Sequence, residues 1–389
     1  MNSSRQLVIR ALAFSVLFTV AWNTQAQIWI QTGALSNRWA GIACSADGAK
    51  LAAVSGGQFY AGQIYTSTNG GTNWSLTTAP TQHWTSIASS SDGTRLAAAA
   101  YASGIYTSTN AGATWVPTSV AAGNWTSIAS SADGAQLAAA RYVDLVYRSA
   151  DYGLTWTSNT LPFVADIQTT AVSADGATFV AANNTGRILV STNGTTWGRS
   201  NWLGSEIFSI NVSPDGQRLS AIAFGRGLFT SGDGGASWHS NGLPANSSWL
   251  VAASSVDGTR MTAVGQKSII YSTTDSGAVW ISNSAPNLIW SAIASSADGG
   301  VVFAAPSNGG IWTRLSPPAS VMRASHSNSN LMLSWVIPST AFVVQHTPDL
   351  AISNWVDVVD EPAPNISRLE YELQVPVNGQ RAFYRLKFR

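Results

Sequence analysis

A repeat of about 42 residues limits the folds open to this chain more than any other feature. Asp-Gly pairs recur seven times, at spacings of 45, 41, 42, 40, 42 and 41 residues. Their aspartates are Asp47, Asp92, Asp133, Asp175, Asp215, Asp257 and Asp298. A fixed period of this length is typical of repeat architectures, so each copy is expected to build one structural unit.

Six of the seven units carry the pattern of four short β-strands, and no helical period is present. In the segment WTSIASSADGAQLAAA, residues 125–140, two β-rich runs flank the Asp-Gly pair. That pair tolerates positive φ, so it is expected to form a two-residue hairpin turn. A third strand such as GIYTSTN follows, and a Trp opens a fourth. These features predict an all-β fold, a seven-bladed β-propeller.

A second motif marks the turn between the third and fourth strands of six units. Two examples are STNAGATW, residues 108–115, and SGDGGASW, residues 231–238. In such a turn the Asp or Asn side chain can accept backbone N–H groups, Gly supplies an unusual φ, and Trp packs on the blade edge. The motif resembles the Asp-box, or bacterial neuraminidase repeat, of sialidase-type β-propellers. The resemblance implies a structural motif that lies away from the catalytic face.

The seventh unit has neither this box nor a fourth strand. It ends at GIWTRLS, residues 310–316, whereas the segment IWIQTGAL, residues 28–35, offers a strand near the other end of the chain. An N-terminal strand that completed the last blade would close the ring and remove an exposed sheet edge. We therefore predict one propeller domain over residues 27–316.

The composition changes at Pro317 and Pro318, where the repeat ends. Residues 317–389 contain six strand-like runs separated by Asn, Pro, Ser and Gly turns, which predicts a small β-sandwich. The segment LSW followed by AFVVQHTPDL resembles fibronectin-III-like C-terminal modules of secreted bacterial proteins.

Residues 1–26 have the pattern of a secretory signal peptide. Arg5 and Arg10 precede an apolar stretch over residues 11–21, and Thr24 and Ala26 stand at cleavage spacing. Later apolar runs are shorter than the roughly 20 residues that a membrane span needs. The sequence therefore predicts an exported protein, extracellular or periplasmic, without a membrane span.

Composition excludes several other classes of function. Only 10% of residues are charged, the formal net charge is +1, and no basic run is present, so nucleic-acid binding is not expected. The single cysteine, Cys44, has no partner for an intramolecular disulfide. The four histidines are scattered, so neither a metal site nor a cofactor is predicted, and we expect a monomer.

Ligands of propellers are expected at the mouth face, the side that carries the loops between second and third strands and the connections between blades. Loop residues on this face suit a neutral, hydroxyl-rich ligand because they stack and form hydrogen bonds. The candidates are Tyr101, Arg141, Tyr142, Asn184, Phe224 and Arg226. The innermost strand of each blade is expected to start eight residues before its Asp-Gly pair, which places Trp84 and Trp125 at two of these starts. Both serve either as wedges between blades or as a stacking platform for sugars.

Few carboxylates remain for catalysis. Of 19, seven belong to the hairpins, three to the boxes and six to the C-terminal region, which leaves Asp144, Asp166 and Glu206. Asp166 and Glu206 each stand nine residues before an Asp-Gly pair, so they occupy equivalent positions in neighbouring blades. They are either an acid and base pair or solvated loop charges. The Arg-Ile-Pro stretch of sialidases is absent.

The leading functional prediction is a secreted, non-catalytic propeller that binds an extracellular glycan or a cell-surface protein through its mouth face. A glycoside hydrolase of sialidase-like or xyloglucanase-like type is the first alternative. An assembly or scaffold protein, like the photosystem assembly factors with related repeats, is the second. An open cleft between Asp166 and Glu206 would favour the hydrolase.

Overall fold

The computed structural model describes most of the repeat region and the strands of the C-terminal region. The described repeat residues are 29–142, 145–161, 166–244, 248–266, 270–283 and 285–315. The described C-terminal residues are 322–327, 330–336, 342–348, 355–360, 362–365, 370–376 and 383–388. The predicted signal peptide, residues 1–26, and Asp144 lie outside the described residues.

The first half of the repeat region forms three four-stranded antiparallel sheets, which follow a single short strand, β1 (Trp29–Gln31). Blade 1 contains β2 (Trp39–Cys44), β3 (Leu51–Ser55), β4 (Ile64–Ser67) and β5 (Ser75–Leu76). Blade 2 contains β6 (Trp84–Ser89), β7 (Leu96–Ala100), β8 (Ile105–Ser108) and β9 (Val116–Pro117). Blade 3 contains β10 (Trp125–Ser130), β11 (Leu137–Arg141), β12 (Leu145–Ser149) and β13 (Thr157–Thr160).

Four more four-stranded sheets follow along the chain, and the fourth strand of the last one is β1. Blade 4 contains β14 (Ile167–Val172), β15 (Phe179–Asn183), β16 (Arg187–Ser191) and β17 (Gly198–Trp202). Blade 5 contains β18 (Ile207–Val212), β19 (Leu219–Ala223), β20 (Gly227–Ser231) and β21 (His239–Ser240). Blade 6 contains β22 (Trp249–Ser254), β23 (Met261–Gly265), β24 (Ile270–Thr273) and β25 (Ile281–Asn283). Blade 7 contains β26 (Trp290–Ser295), β27 (Val301–Pro306) and β28 (Trp312–Leu315).

The first strands of neighbouring blades contact one another all the way round, from β2 through β26 and back to β2. They are therefore the innermost strands, and each begins eight residues before its Asp-Gly pair, as the repeat spacing predicts. The prediction of an all-β, seven-bladed propeller is confirmed.

The N-terminal strand closes the ring. Blade 7 has the strand order β1-β28-β27-β26, with Trp29 opposite Arg314. The innermost part of blade 7 also contacts blade 1. Ser291 Oγ donates to the carbonyl of Trp39 over 2.8 Å, and the N–H of Ala297 donates to the carbonyl of Ala46 over 2.8 Å. Blade 7 is thus joined to blade 1 by its inner strand and completed by residues from the start of the chain.

The Asp-Gly turns are longer than the predicted two residues, and that prediction is wrong. Strand β2 ends at Cys44 and β3 begins at Leu51, and the N–H of Gly48 donates to the carbonyl of Ser45 over 2.9 Å. Asp47 is therefore the third residue of a β-turn, and Gly48 follows it with a φ of 70°. Asp47 Oδ1 accepts the N–H of Ala49 over 2.9 Å, so the aspartate holds the turn from inside.

The box turns have the hydrogen bonds that their residue types predict. In blade 3, Asp151 Oδ1 accepts the N–H of Thr155 over 2.9 Å, and the N–H of Gly153 donates to Ser149 Oγ over 2.8 Å. Gly153 has a φ of 88° and packs against Thr107 of the preceding blade. The box therefore holds its own turn and also joins neighbouring blades.

Large side chains fill the wedges between blades. The first residues of the innermost strands are five tryptophans and two isoleucines, all at most 2% exposed. They are Trp39, Trp84, Trp125, Ile167, Ile207, Trp249 and Trp290. Four of the five tryptophans lie edge-on against a tyrosine of the third strand of the same blade, at ring-centroid distances of 4.9–5.5 Å.

Two further sheets lie in the C-terminal region. One has β29 (Met322–Ser327), β30 (Asn330–Val336), β34 (Glu370–Pro376) and β33 (Ala363–Asn365), in this order. The other has β32 (Val356–Asp357), β31 (Phe342–Thr347) and β35 (Phe383–Phe388). Leu333, Trp335 and Leu373 of the first sheet share one buried cluster with Val344 of the second. The described part of the chain contains no helix long and apolar enough to cross a membrane.

Candidate functional site at the mouth face

A backbone hydrogen bond repeated in all seven blades builds the rim of the mouth face. The N–H of the residue after the second strand donates to the carbonyl of the residue before the first strand, over 2.8–3.1 Å. The donors are Gly56, Tyr101, Tyr142, Asn184, Phe224, Gln266 and Ser307. The acceptors are Arg38, His83, Asn124, Asp166, Glu206, Ser248 and Ile289. We call these fourteen residues the rim. In every blade except the first, whose donor is Gly56, the bond holds two side chains side by side.

The rim is acidic at blades 4 and 5. Asp166 Oδ2 accepts a hydrogen bond from Asn184 Nδ2 over 3.0 Å. A hydrogen bond to Asp166 raises the pKa of the Tyr142 phenol above its ordinary value of 10.0, and the charges of Asp166 and Glu206 add to the shift. Partial burial raises the pKa of Glu206. Tyr142, Asn184 and Asp166 thus form one hydrogen-bonded group across blades 3 and 4.

This group can be tested by titration of the Tyr142 phenol. In the wild-type protein the side-chain carbon resonance of Tyr142 should titrate above pH 10, because ionisation breaks its bond to Asp166 and places two negative charges together. Asp166→Asn removes the charge and should lower the pKa of Tyr142. Glu206→Gln removes a charge that contributes less to the shift and should lower that pKa less. An unchanged titration in Asp166→Asn would contradict the contact.

Two arginines predicted on this face have different settings. Arg226 is exposed and its guanidinium lies over Gly204, where an added Cβ would come within 3.2 Å of it. Arg141 is half-buried, lies against Gly123, and has its Nη1 3.5 Å from the Tyr147 hydroxyl. Arg226 therefore presents its charge to solvent, whereas Arg141 lies at the junction of blades 2 and 3.

The predicted aromatic residues divide into exposed and buried groups. Tyr142 is 40% exposed and Phe224 is 44% exposed, while Tyr101 is half-buried. Trp84 and Trp125 are both 0% exposed, so their assignment as ligand-binding residues is corrected. Their rings point into the wedge between blades and cannot stack on a ligand.

Sequence reasoning missed two strongly exposed aromatic residues of the face. Phe59 is 79% exposed and Tyr60 is 53% exposed, and both lie in the loop between β3 and β4. Arg38 stacks on Tyr60, with its guanidinium carbon 4.0 Å from the ring centroid. The repeat spacing indicates that this loop is unusually long, because the first interval between Asp-Gly pairs is 45 residues while the others are 40 to 42. The additional residues lengthen this one loop.

The central channel offers little for chemistry. A cavity of about 360 Å³ on the axis is lined by small polar and aliphatic side chains, including Ser86, Ser127, Thr170 and Ser209, and none of its lining residues is charged. Among the described residues, no three His, Cys, Asp or Glu side chains are grouped as metal ligands would be. The function of Asp166 and Glu206 as an acid and base pair stays a prediction.

Comparisons with known proteins identify the fold. No known family profile matches the chain, and no curated protein matches its sequence. A solved structure described as YCF48 bound to D1 peptide is similar, with a TM-score of 0.58 and 17% identity over 76% of this chain and 99% of that chain. YCF48 from Cyanidioschyzon merolae has a TM-score of 0.59 and 14% identity, over 75% of this chain and 99% of that chain. At these identities the likeness is one of fold.

Proposed function

We propose that this protein is a non-catalytic binding propeller whose mouth face takes a segment of a protein partner. The observation that carries the proposal is the set of exposed apolar side chains that five blades and their connections place around this face. Its members are Leu35, Phe59, Tyr60, Tyr142, Trp202, Phe224 and Ile289, each between 40% and 79% exposed. Isolated exposed apolar residues are common, whereas a concentration on one face is typical of an interaction surface.

The residue types around these side chains favour a protein partner. Aromatic residues and arginine are enriched at protein interfaces and at their energetic hot spots, and Arg38 and Arg226 accompany the aromatics here. The acidic pair Asp166 and Glu206 would complement a lysine or arginine of the bound segment. A glycan also stacks on aromatic rings, so it is the competing outcome of the test below. The similarity in fold to YCF48, whose solved structure contains a bound D1 peptide, adds support for a peptide ligand.

The exported location and the fibronectin-III-like character of the C-terminal region belong to the same proposal. A signal peptide over residues 1–26 would deliver the propeller to the cell exterior or the periplasm. There, residues 317–389 would form a separate module beside the binding domain. The Asp-box resemblance agrees with a structural role for the box turns, because their hydrogen bonds lie within the turn itself.

The proposal is tested by selection from a random-sequence peptide library displayed on phage, with a glycan array run on the same protein. Selected peptides should bind the wild-type protein, and Phe59→Ala and Phe224→Ala should each weaken binding by about tenfold or more, as truncation of an interface aromatic does. Neither change should lower the melting temperature appreciably, because both side chains are exposed.

The matched controls are two apolar side chains in box turns on the opposite face. Leu154 is 72% exposed and Val279 is 60% exposed, and Leu154→Ala and Val279→Ala should leave peptide affinity unchanged. Equal losses from both faces, failure to select any peptide, or binding to glycans alone would overturn the proposal.

A further inference from the structure

Two junctions between blades carry the same arrangement on the face opposite the mouth. Arg95 in blade 2 and Arg218 in blade 5 each stand three residues after the aspartate of their hairpin. In both cases the box turn of the next blade lies beside the arginine, and the residue after the box aspartate faces the junction. That residue is Tyr152 in blade 3 and Ser276 in blade 6.

At the junction of blades 2 and 3, a tyrosine fills the space. Tyr152 has a φ of 65°, and the guanidinium carbon of Arg95 lies 3.9 Å from the centroid of its ring, which is the geometry of a cation–π contact. Only about 10 Å³ of free volume remains there. Arg95, Thr107, Gly134 and Leu137 line that remnant together with Tyr152 itself.

At the junction of blades 5 and 6, the equivalent space is open. Ser276 has a φ of 60°, close to that of Tyr152, but its short side chain leaves a cleft of about 400 Å³. The lining residues Arg218, Thr230, Gly258 and Met261 correspond position by position to Arg95, Thr107, Gly134 and Leu137. The guanidinium of Arg218 is held at this site by a hydrogen bond from its Nη1 to the carbonyl of Asp257.

We propose that the cleft between blades 5 and 6 is a binding site for a small phenolic molecule. Its volume lies within the roughly 300–1,000 Å³ of small-molecule sites. A phenol ring placed as the Tyr152 ring is placed would meet the guanidinium on one face and the apolar side chains of Leu219 and Met261 within the cleft. Ser220 and Thr230 supply hydroxyl groups for the phenolic oxygen or for ring substituents. The site is independent of the mouth face and of its proposed protein partner.

The two junctions form a matched pair for the experiment, with p-cresol as the probe because it has the ring and hydroxyl of a tyrosine side chain. Calorimetric titration should find one site in the wild-type protein and none in Ser276→Tyr, whose new ring occupies the cleft. The reciprocal change Tyr152→Ser should open the second junction and yield two sites. Because both positions already have a positive φ, neither exchange requires a new backbone conformation.

Further variants distinguish the proposed contact from nonspecific binding of p-cresol. Ser276→Ala should keep the site, whereas Arg218→Leu should weaken p-cresol binding about tenfold by removing the cation over the ring. The saturated analogue 4-methylcyclohexanol should bind more weakly than p-cresol, since it has no aromatic face. Phe59→Ala should bind p-cresol as the wild type does. Absence of binding to the wild type, or equal binding to Ser276→Tyr, would overturn the proposal.

Discussion

Replacing Trp29 with alanine should lower the free energy of unfolding by about 3–5 kcal/mol, the range for removal of a large buried aromatic side chain. Trp29 is 5% exposed and packs against Trp290 of the same blade, with 6.2 Å between ring centroids. The guanidinium carbon of Arg314 lies 5.9 Å from the Trp29 ring. The loss is large because the strand that carries Trp29 has only three residues, so this one side chain supplies most of its buried contact.

The neighbouring residue of the same strand is the control. Ile30 is 57% exposed, and Ile30→Ala should change stability by no more than about 0.5 kcal/mol in urea unfolding followed by circular dichroism. Deletion of residues 27–34 should have a larger effect than either substitution and should promote self-association, because β28 then becomes an open sheet edge. A synthetic peptide of residues 27–36 should restore the monomer. An unchanged melting temperature after the deletion would contradict closure by the N-terminal strand.

Much of the fold could be predicted because the repeat supplies seven copies of one pattern. The start of each innermost strand follows from the eight-residue spacing to Asp-Gly, and the seven copies agree. Closure follows from counting, since blade 7 lacks a strand that the N-terminal segment supplies. The hairpin geometry was predicted wrongly because Asp-Gly also suits a longer loop, in which Ser45 accepts the turn hydrogen bond and Gly48 alone takes a positive φ.

The candidate site was predicted less completely, for two physical reasons. A repeat position defines where a backbone begins a strand, but not which way its side chain points, so Trp84 was placed near the mouth although its ring lies in a wedge. Features that occur in one blade only are not reinforced by the repeat. The exposed Phe59 and Tyr60 lie in the one lengthened loop, and the position of Arg141 depends on Gly123 of the neighbouring connection.

The innermost tryptophans should be the most sensitive positions of the propeller. Trp84 is 0% exposed and lies between blades 1 and 2, where Val54 and Ile64 belong to the same buried cluster. Trp84→Ala should destabilise the protein by about 3–5 kcal/mol, a large share of the roughly 5–15 kcal/mol that holds a typical domain folded. Trp202→Ala is the control, because Trp202 is 68% exposed and its loss should cost little.

A comparison of Trp84 with Trp125 separates the packing of these rings from their hydrogen bonds. Trp125 Nε1 donates to the carbonyl of Ser103 over 3.1 Å, whereas the buried Nε1 of Trp84 has no hydrogen-bond partner among the described residues. Trp84→Phe removes a buried donor without a partner, and Trp125→Phe removes a formed bond. Trp125→Phe should therefore cost about 1 kcal/mol more than Trp84→Phe in urea unfolding, and Trp125→Ala should exceed Trp84→Ala by a similar amount because it removes the same bond. Equal costs for the two phenylalanine variants would show that the indole N–H of Trp125 adds nothing to the wedge, and a larger cost at Trp84 would show that its N–H is paired.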